Sequence, residues 1–169
     1  MTTLAHPALA PGRWRHVPTG TSASFTVRNF GLRQVTGTVP VAEAWVDVDA
    51  AGVAQQVRAT LDLRAIATGN TRRDADLQKP HLLGTAEHPT LTFAGTPAVG
   101  PDGWTVAGTL AGRASAKVTL AATIESATPQ AITVRATAEL DRLELGIRAP
   151  RFLIGRRLRI TVTATFRSP

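Results

Sequence analysis

Apolar side chains recur at every second position over most of this chain. Residues 22–29 set Ala23, Phe25 and Val27 against Ser24, Thr26 and Arg28. The alternation returns at Val57, Ala59, Leu61 and Leu63, at Leu91 and Phe93, and at Trp104, Val106, Gly108 and Leu110. It continues through Val118, Leu120, Ala122 and Ile124, and through Ile132, Val134, Ala136, Ala138 and Leu140. Leu158, Ile160, Val162, Ala164 and Phe166 complete it. A period of two among β-branched and aromatic residues marks strands with one buried face. Gly12 to Pro18, around Trp14, reads as a short first strand. Turns fall at residues 49–52, 100–103, 112–113 and 128–129, where Gly, Pro and Asp cluster.

The run from Val35 to Val48 changes phase. Val35, Gly37, Val39 and Val41 share a face, but after Pro40 and Glu43 the apolar set becomes Ala44, Val46 and Val48. One inserted residue swaps the faces of a strand, so a bulge or bend is expected here. Pro40 lacks a ladder donor, which fits that break.

Two stretches leave the β pattern. Between Ala59 and Phe93 the chain reads as a strand, a sharp exit at Gly69-Asn70, a charged helix, a loop and a second strand. Thr71 is placed to cap the helix, Asp74 sits in its first turn, and Pro80 limits it to about two turns. Residues 141–155 are irregular, yet Leu143, Leu145, Ile147, Phe152, Leu153 and Ile154 are too apolar for a solvated loop. They are expected to pack across one end of the sheet.

About eight one-faced strands joined by short turns indicate an antiparallel all-β fold. A sandwich and a closed barrel both bury such faces. The long strands and the bulge favour closure into an eight-stranded barrel, which either fills with side chains or holds one small ligand. Ala23, Gly37, Ala59, Gly108, Ala122, Ala136, Ala138 and Ala164 fall on the inward face, and small residues there leave space.

The 169 residues, 43% hydrophobic and 18% charged, describe one globular domain, read as a tail over residues 1–11 and a domain over 12–169. No apolar run is long enough for a spanning helix. Residues 1–16 contain no continuous apolar leader core, so a cytoplasmic location is the expectation. Cysteine is absent, which excludes disulfides and thiolate chemistry. The four histidines do not share metal-ligand spacing, and no nucleophile elbow, phosphate loop or dinucleotide fingerprint appears.

The net charge of +7, carried almost wholly by arginine, points to an anionic partner or to a generally basic solvated surface. Arg157, Arg159 and Arg167 share one phase of the last strand and would suit an anionic membrane. Nucleic acid is disfavoured, because aromatics are 5% of the chain and no stacking platform is visible.

An ordered set of short motifs then carries a resemblance. Trp14 precedes Ser24-x-x-Val27-x-Asn29-x-Gly31 and Val35-x-Gly37. Ile66-x-Thr68-Gly69, Arg73-Asp74-x-x-Leu77 and His88-Pro89-x-Leu91-x-Phe93 follow. Val106-x-Gly108-x-Leu110 and Asp141-Arg142-x-x-Leu145-Gly146-Ile147 close the set. Together they resemble the YceI-like family over roughly Trp14 to Phe166. Asn29 stands where that family usually has His, and Thr38 where it usually has an aromatic.

The resemblance implies a lipocalin-like eight-stranded barrel with a short helix inserted between strands. It also implies a pore for a polyisoprenoid, such as a polyprenyl phosphate or a quinone-type lipid. The protein would then be a carrier, sequestration or sensing protein rather than an enzyme, with no cofactor beyond the bound lipid. On this reading Phe25, Val27, Leu61, Leu82, Phe93, Leu110 and Leu145 line the pore. Arg72, Arg73 and Arg142 lie nearest a lipid head group, with Asn29 as a neutral hydrogen-bonding group beside them. An isoprenoid- or quinone-linked enzyme, and a basic protein for anionic membrane or nucleic acid, are the alternatives. A homodimer is compatible with the sequence.

Overall fold

The computed structural model describes residues 9–29, 33–101, 103–148 and 155–169, without the side chains of Arg28, Asn29 and Arg33. Ten strands run in chain order: β1 Gly12–His16, β2 Ser22–Asn29, β3 Arg33–Val39, β4 Val41–Val48, β5 Ala54–Asp62, β6 Thr90–Val99, β7 Trp104–Ala111, β8 Ser115–Ala127, β9 Ala131–Asp141 and β10 Arg157–Arg167. Among the described residues there is one α-helix, α1 (Thr71–Leu77), between β5 and β6. All pairings are antiparallel, in the order β1-β4-β5-β6-β7-β8-β9-β10-β2-β3, and β1 also pairs with β10.

The ten segments make eight staves. β1 and β2 are one bent stave, and β3 and β4 are another. The first bends at a single 3-10 turn, Pro18–Gly20. There Val17 N donates to Thr165 O (2.7 Å), and Thr165 Oγ1 donates to Gly20 O (3.2 Å). The second bends at Pro40, and the β4–β5 register slips between Val41 and Glu43. The phase change in the sequence is therefore a bulge. Closure comes from Arg15↔Arg167 and His16↔Phe166 between β1 and β10. The result is a closed eight-stranded antiparallel barrel.

The two ends differ. Tight turns at residues 49–53 and 128–130, and the hydrogen bond from Gly100 N to Gly103 O, gather at one, here the turn end. The 63–89 excursion with α1, and residues 142–148 and 155–156, gather at the other, the helix end. Inward side chains form two contiguous buried groups. One is built on Phe93, Val106, Leu110, Val118, Leu140 and Leu145, and the other on Trp14, Ala44, Val48, Ile132, Ala164 and Phe166. Trp14 is 2% exposed and donates its indole N–H to Ala10 O at 2.8 Å. Leu9 and Ala10, in the stretch read as tail, thus pack on the turn end.

Two expectations change. Asn70, not Thr71, caps α1: its side chain accepts from Arg73 N (3.0 Å). Gly37 and Gly108 do not leave open space. A methyl group on Gly37 would collide with the Phe25 ring, and one on Gly108 with Ala94 O, Gly95 and the Phe93 ring. These glycines let two phenylalanines lie flat across the neighbouring strand. Phe152, Leu153 and Ile154 lie outside the described residues.

Candidate functional site

The barrel interior holds two chambers, each with a cavity volume of about 150 Å³. The turn-end chamber is bounded by Trp14, Ala44, Phe93, Trp104, Ala136 and Phe166 among others, and Thr21 is its one aliphatic hydroxyl. The helix-end chamber is bounded by Phe25, Val27, Leu63, Leu77, Leu83 and Leu145, together with Ser24, Thr68, Arg73 and Arg142. Leu61 and Ile160 border both, so the chambers meet end to end along the barrel axis. Among the described residues no Asp, Glu or His lines either one.

Alternation explains the apolar bore, because the staves turn most of their Val, Leu and Ile, with alternate Ala, inward and most of their Thr, Ser and charges outward. Among the described residues, cationic side chains enter the lining only at the helix end. Arg73 Nε donates to Thr68 Oγ1 (2.8 Å) and its Nη2 to Thr68 O (2.9 Å). Asp74 grips the same residue from the other side, with Oδ1 accepting from Thr68 N (2.9 Å) and Thr68 Oγ1 (2.5 Å). The Arg73-Asp74 pair thereby clamps the exit of β5 to the first turn of α1 and holds the guanidinium at the chamber edge. Replacing Asp74 with Ala leaves Thr68 N without that acceptor. We expect about 1–2 kcal/mol of lost stability in urea denaturation, comparable to losing a cap.

Arg142 is 1% exposed. Its Nε donates to Gly155 O (3.1 Å) and its Nη1 to Ile147 O (2.9 Å), so it binds both arms of the 142–156 connection. Arg113 ties the same end together from β7–β8, donating to Pro80 O and to Leu82 O (3.3 Å), while Gly146 lies against its side chain.

The residues singled out from sequence separate as follows. Phe25, Val27, Leu61 and Leu145 border the helix-end chamber, and Phe93 and Leu110 border the turn-end chamber. Leu82 is buried but lines neither; Leu77 and Leu83 face the chamber instead. Arg73 and Arg142 reach the helix-end chamber, and Arg72 does not. Successive helical residues point about 100° apart, so Arg72 is exposed when Arg73 faces in. The Asn29 side chain lies outside the described residues. Ser24, read as outward, borders the helix-end chamber. Among the described residues no group of three His, Cys, Asp or Glu could hold a metal ion.

Charge on the outer wall is arranged differently from the expected stripe. Arg157 and Arg159 pair across the ladder with Asp141 and Glu139, and Arg167 is at the opposite end of β10. A row that the sequence did not reveal crosses four strands: Arg167, Arg15, Trp45 and Arg58 are successive cross-strand neighbours. Arg13 stacks on Trp45 at 3.8 Å and forms a two-pronged pair with Asp47 (2.8 and 3.0 Å). That hydrogen bonding holds the Asp47 carboxyl below its usual range. Its stabilisation is therefore present above the ordinary carboxylate range and is lost as pH falls through the lowered value. The pair is well exposed, so the effect is small. An Asp47→Asn variant should show a slightly flatter acid limb in stability against pH.

A YceI-like domain model matches residues 14–166. The chain belongs to the YceI-like family. Solved structures share the fold at low identity. Burkholderia cenocepacia BcnA superposes with a TM-score of 0.75 at 14% identity, covering 89% of this chain and 98% of that one. A polyisoprenoid-binding domain from Saccharophagus degradans, implicated in plant cell wall breakdown, gives 0.71 at 16%, covering 92% and 98%. The Campylobacter jejuni YceI protein gives 0.71 at 17%, covering 84% and 90%. No functionally curated protein matches the sequence. No helix among the described residues is long and apolar enough to cross a membrane.

Proposed function

We propose that this YceI-like barrel binds one long isoprenoid lipid along its axis, as a carrier, sequestration or sensing protein without chemistry of its own. The observation that carries this reading is the junction of two apolar chambers at Leu61 and Ile160, with cationic lining, among the described residues, at one end only. Such a bore suits a ligand with a long hydrocarbon body and one polar terminus. The body supplies most of the affinity: a five-carbon unit transferred from water gains up to about 4 kcal/mol at ~0.8 kcal/mol per methylene. A few units outweigh the cost of association. The Saccharophagus degradans domain of like fold is described as polyisoprenoid-binding, which agrees with this choice. A chamber lining that, among the described residues, holds no carboxylate or imidazole favours binding over an isoprenoid- or quinone-linked enzyme, since general acid–base work needs such groups.

The head group lies at the helix end. Arg73 is half-buried, faces the chamber and can donate charge-assisted hydrogen bonds to a phosphate. Arg142, committed to Gly155 O and Ile147 O, adds positive charge behind it. Arg72 and Leu82 take no part. An Arg73→Gln variant should bind a prenyl phosphate roughly tenfold more weakly, by loss of one charge-assisted contact. Its affinity for the matching prenyl alcohol should be unchanged, as read by competition binding of the two lipids.

The reading as a whole is tested by native mass spectrometry of the purified protein, followed by organic extraction. A stoichiometric added mass that extracts as a prenyl lipid is the expected result. An apo mass that does not shift when undecaprenyl phosphate and a prenyl quinone are supplied would overturn it.

A further inference from the structure

The wall of the barrel is not zipped along its whole height. Between β5 and β6 the ladder runs from Asp62↔Thr90 at the helix end to Val57↔Gly95, and stops there. β5 extends to Ala54 and β6 to Val99, so residues 54–56 and 96–99 flank a seam without ladder pairs at the turn end. Pro97 lies in this stretch and has no N–H to offer across it. Ala54 and Val57 on one lip and Pro97 on the other all border the turn-end chamber. Immediately outside, Val53 is 46% and Val99 61% exposed, two of the three large apolar residues so exposed among those described. Val53 directly precedes β5 and Val99 ends β6, so one valine stands at the outer end of each lip. Apolar residues therefore stand on both lips, from the chamber lining (Ala54, Val57, Pro97) to the outer rim (Val53, Val99).

From this we infer that the β5–β6 seam is a tail exit, through which the hydrocarbon end of a prenyl chain longer than the bore leaves the turn-end chamber. The inference rests on the lipid reading given above and adds a chain-length rule to it. β10 holds eleven residues. At ~3.3 Å per residue and a tilt of about 40°, a stave of that length spans roughly 28 Å along the axis, which bounds the chain that fits inside. A closed turn end would reject longer chains or force them to fold back. An open seam lets one barrel hold both, with Val53 and Val99 sheltering the first emerging carbons. The lip residues carry no charge that the chain would have to pass.

The test compares farnesyl phosphate with undecaprenyl phosphate, both presented in detergent micelles. The chain has no cysteine, so a Gln56→Cys/Thr96→Cys pair, placed one register step beyond Val57↔Gly95, gives a reversible staple across the seam. Wild type should bind both lipids. The oxidised staple should keep farnesyl phosphate and lose undecaprenyl phosphate by about tenfold or more, as several methylenes are excluded. Reduction should restore it. A Val53→Glu/Val99→Glu variant needs no cross-link and should show the same length-selective loss. Equal binding of the long lipid by oxidised and reduced protein, or by the glutamate variant and wild type, would sink the exit and leave the lipid reading standing. Failure of wild type to take up either lipid would remove both.

Discussion

An Ala136→Phe variant should lose long prenyl chains while remaining folded. Ala136 lines the turn-end chamber from β9, opposite Ala122 of β8 and Val162 of β10. A phenyl ring there occupies the space a chain would use. Excluding a single five-carbon unit removes up to about 4 kcal/mol, roughly a thousandfold in affinity. Overpacking a site that already adjoins a cavity should cost about 1–2 kcal/mol of stability at most. The two effects separate in one pair of experiments: a lipid titration, and thermal unfolding of the lipid-free protein. If the variant melts like wild type yet binds undecaprenyl phosphate undiminished, the chain does not occupy this chamber.

The largest stability effect is expected at Arg142. Replacing it with Met keeps the aliphatic stem but removes the donors to Gly155 O and Ile147 O in a site that is 1% exposed. Both carbonyls then lose a charged donor. At about 1.5–3 kcal/mol for each such bond, a loss of roughly 3–5 kcal/mol follows. Arg142→Lys should rescue little, because a single ammonium cannot span carbonyls eight residues apart with the geometry of a planar fork. Guanidinium denaturation checks both. A loss below about 1 kcal/mol would mean that the 142–156 connection is held by other contacts.

These two sites also show what was legible beforehand. The position of Ala136 follows from alternation alone, as do all eight staves and nearly all of the bore. The bulge after Pro40 was readable because a period-two pattern cannot change phase without an extra residue. Arg142 was singled out as a head-group ligand, but its partners are carbonyls of a connection that has no periodicity. Arg72 and Arg73 were indistinguishable as neighbours until the start of α1 was set by Asn70, since the cap decides which of them turns inward. Leu82 failed for a related reason: it follows the helix in a turn, where neither period applies. Trp45 falls between Ala44 and Val46 and was not placed by their alternation. It is an outward residue covered by Arg13, a contact thirty-two positions away that no local pattern reports. The open seam was invisible for the same reason, because the alternation of a strand does not say where its ladder stops.

The closure of the barrel has one more consequence, for the order in which the chain assembles. β10 pairs with β9, β2 and β1 at once. Its contacts with β9 are local, but those with β1 join residues about 150 positions apart. Such contacts form late, because the loop they close is long. During synthesis the staves before β10 exist as a curved sheet with two bare edges, β9 on one side and the β1–β2 stave on the other. Bare edges invite pairing between molecules. The interval before β10 docks is thus when this protein is most prone to aggregate. Substitutions on the inward face of β10, such as at Ala164 or Phe166, should lower the yield of folded protein more than their effect on final stability predicts.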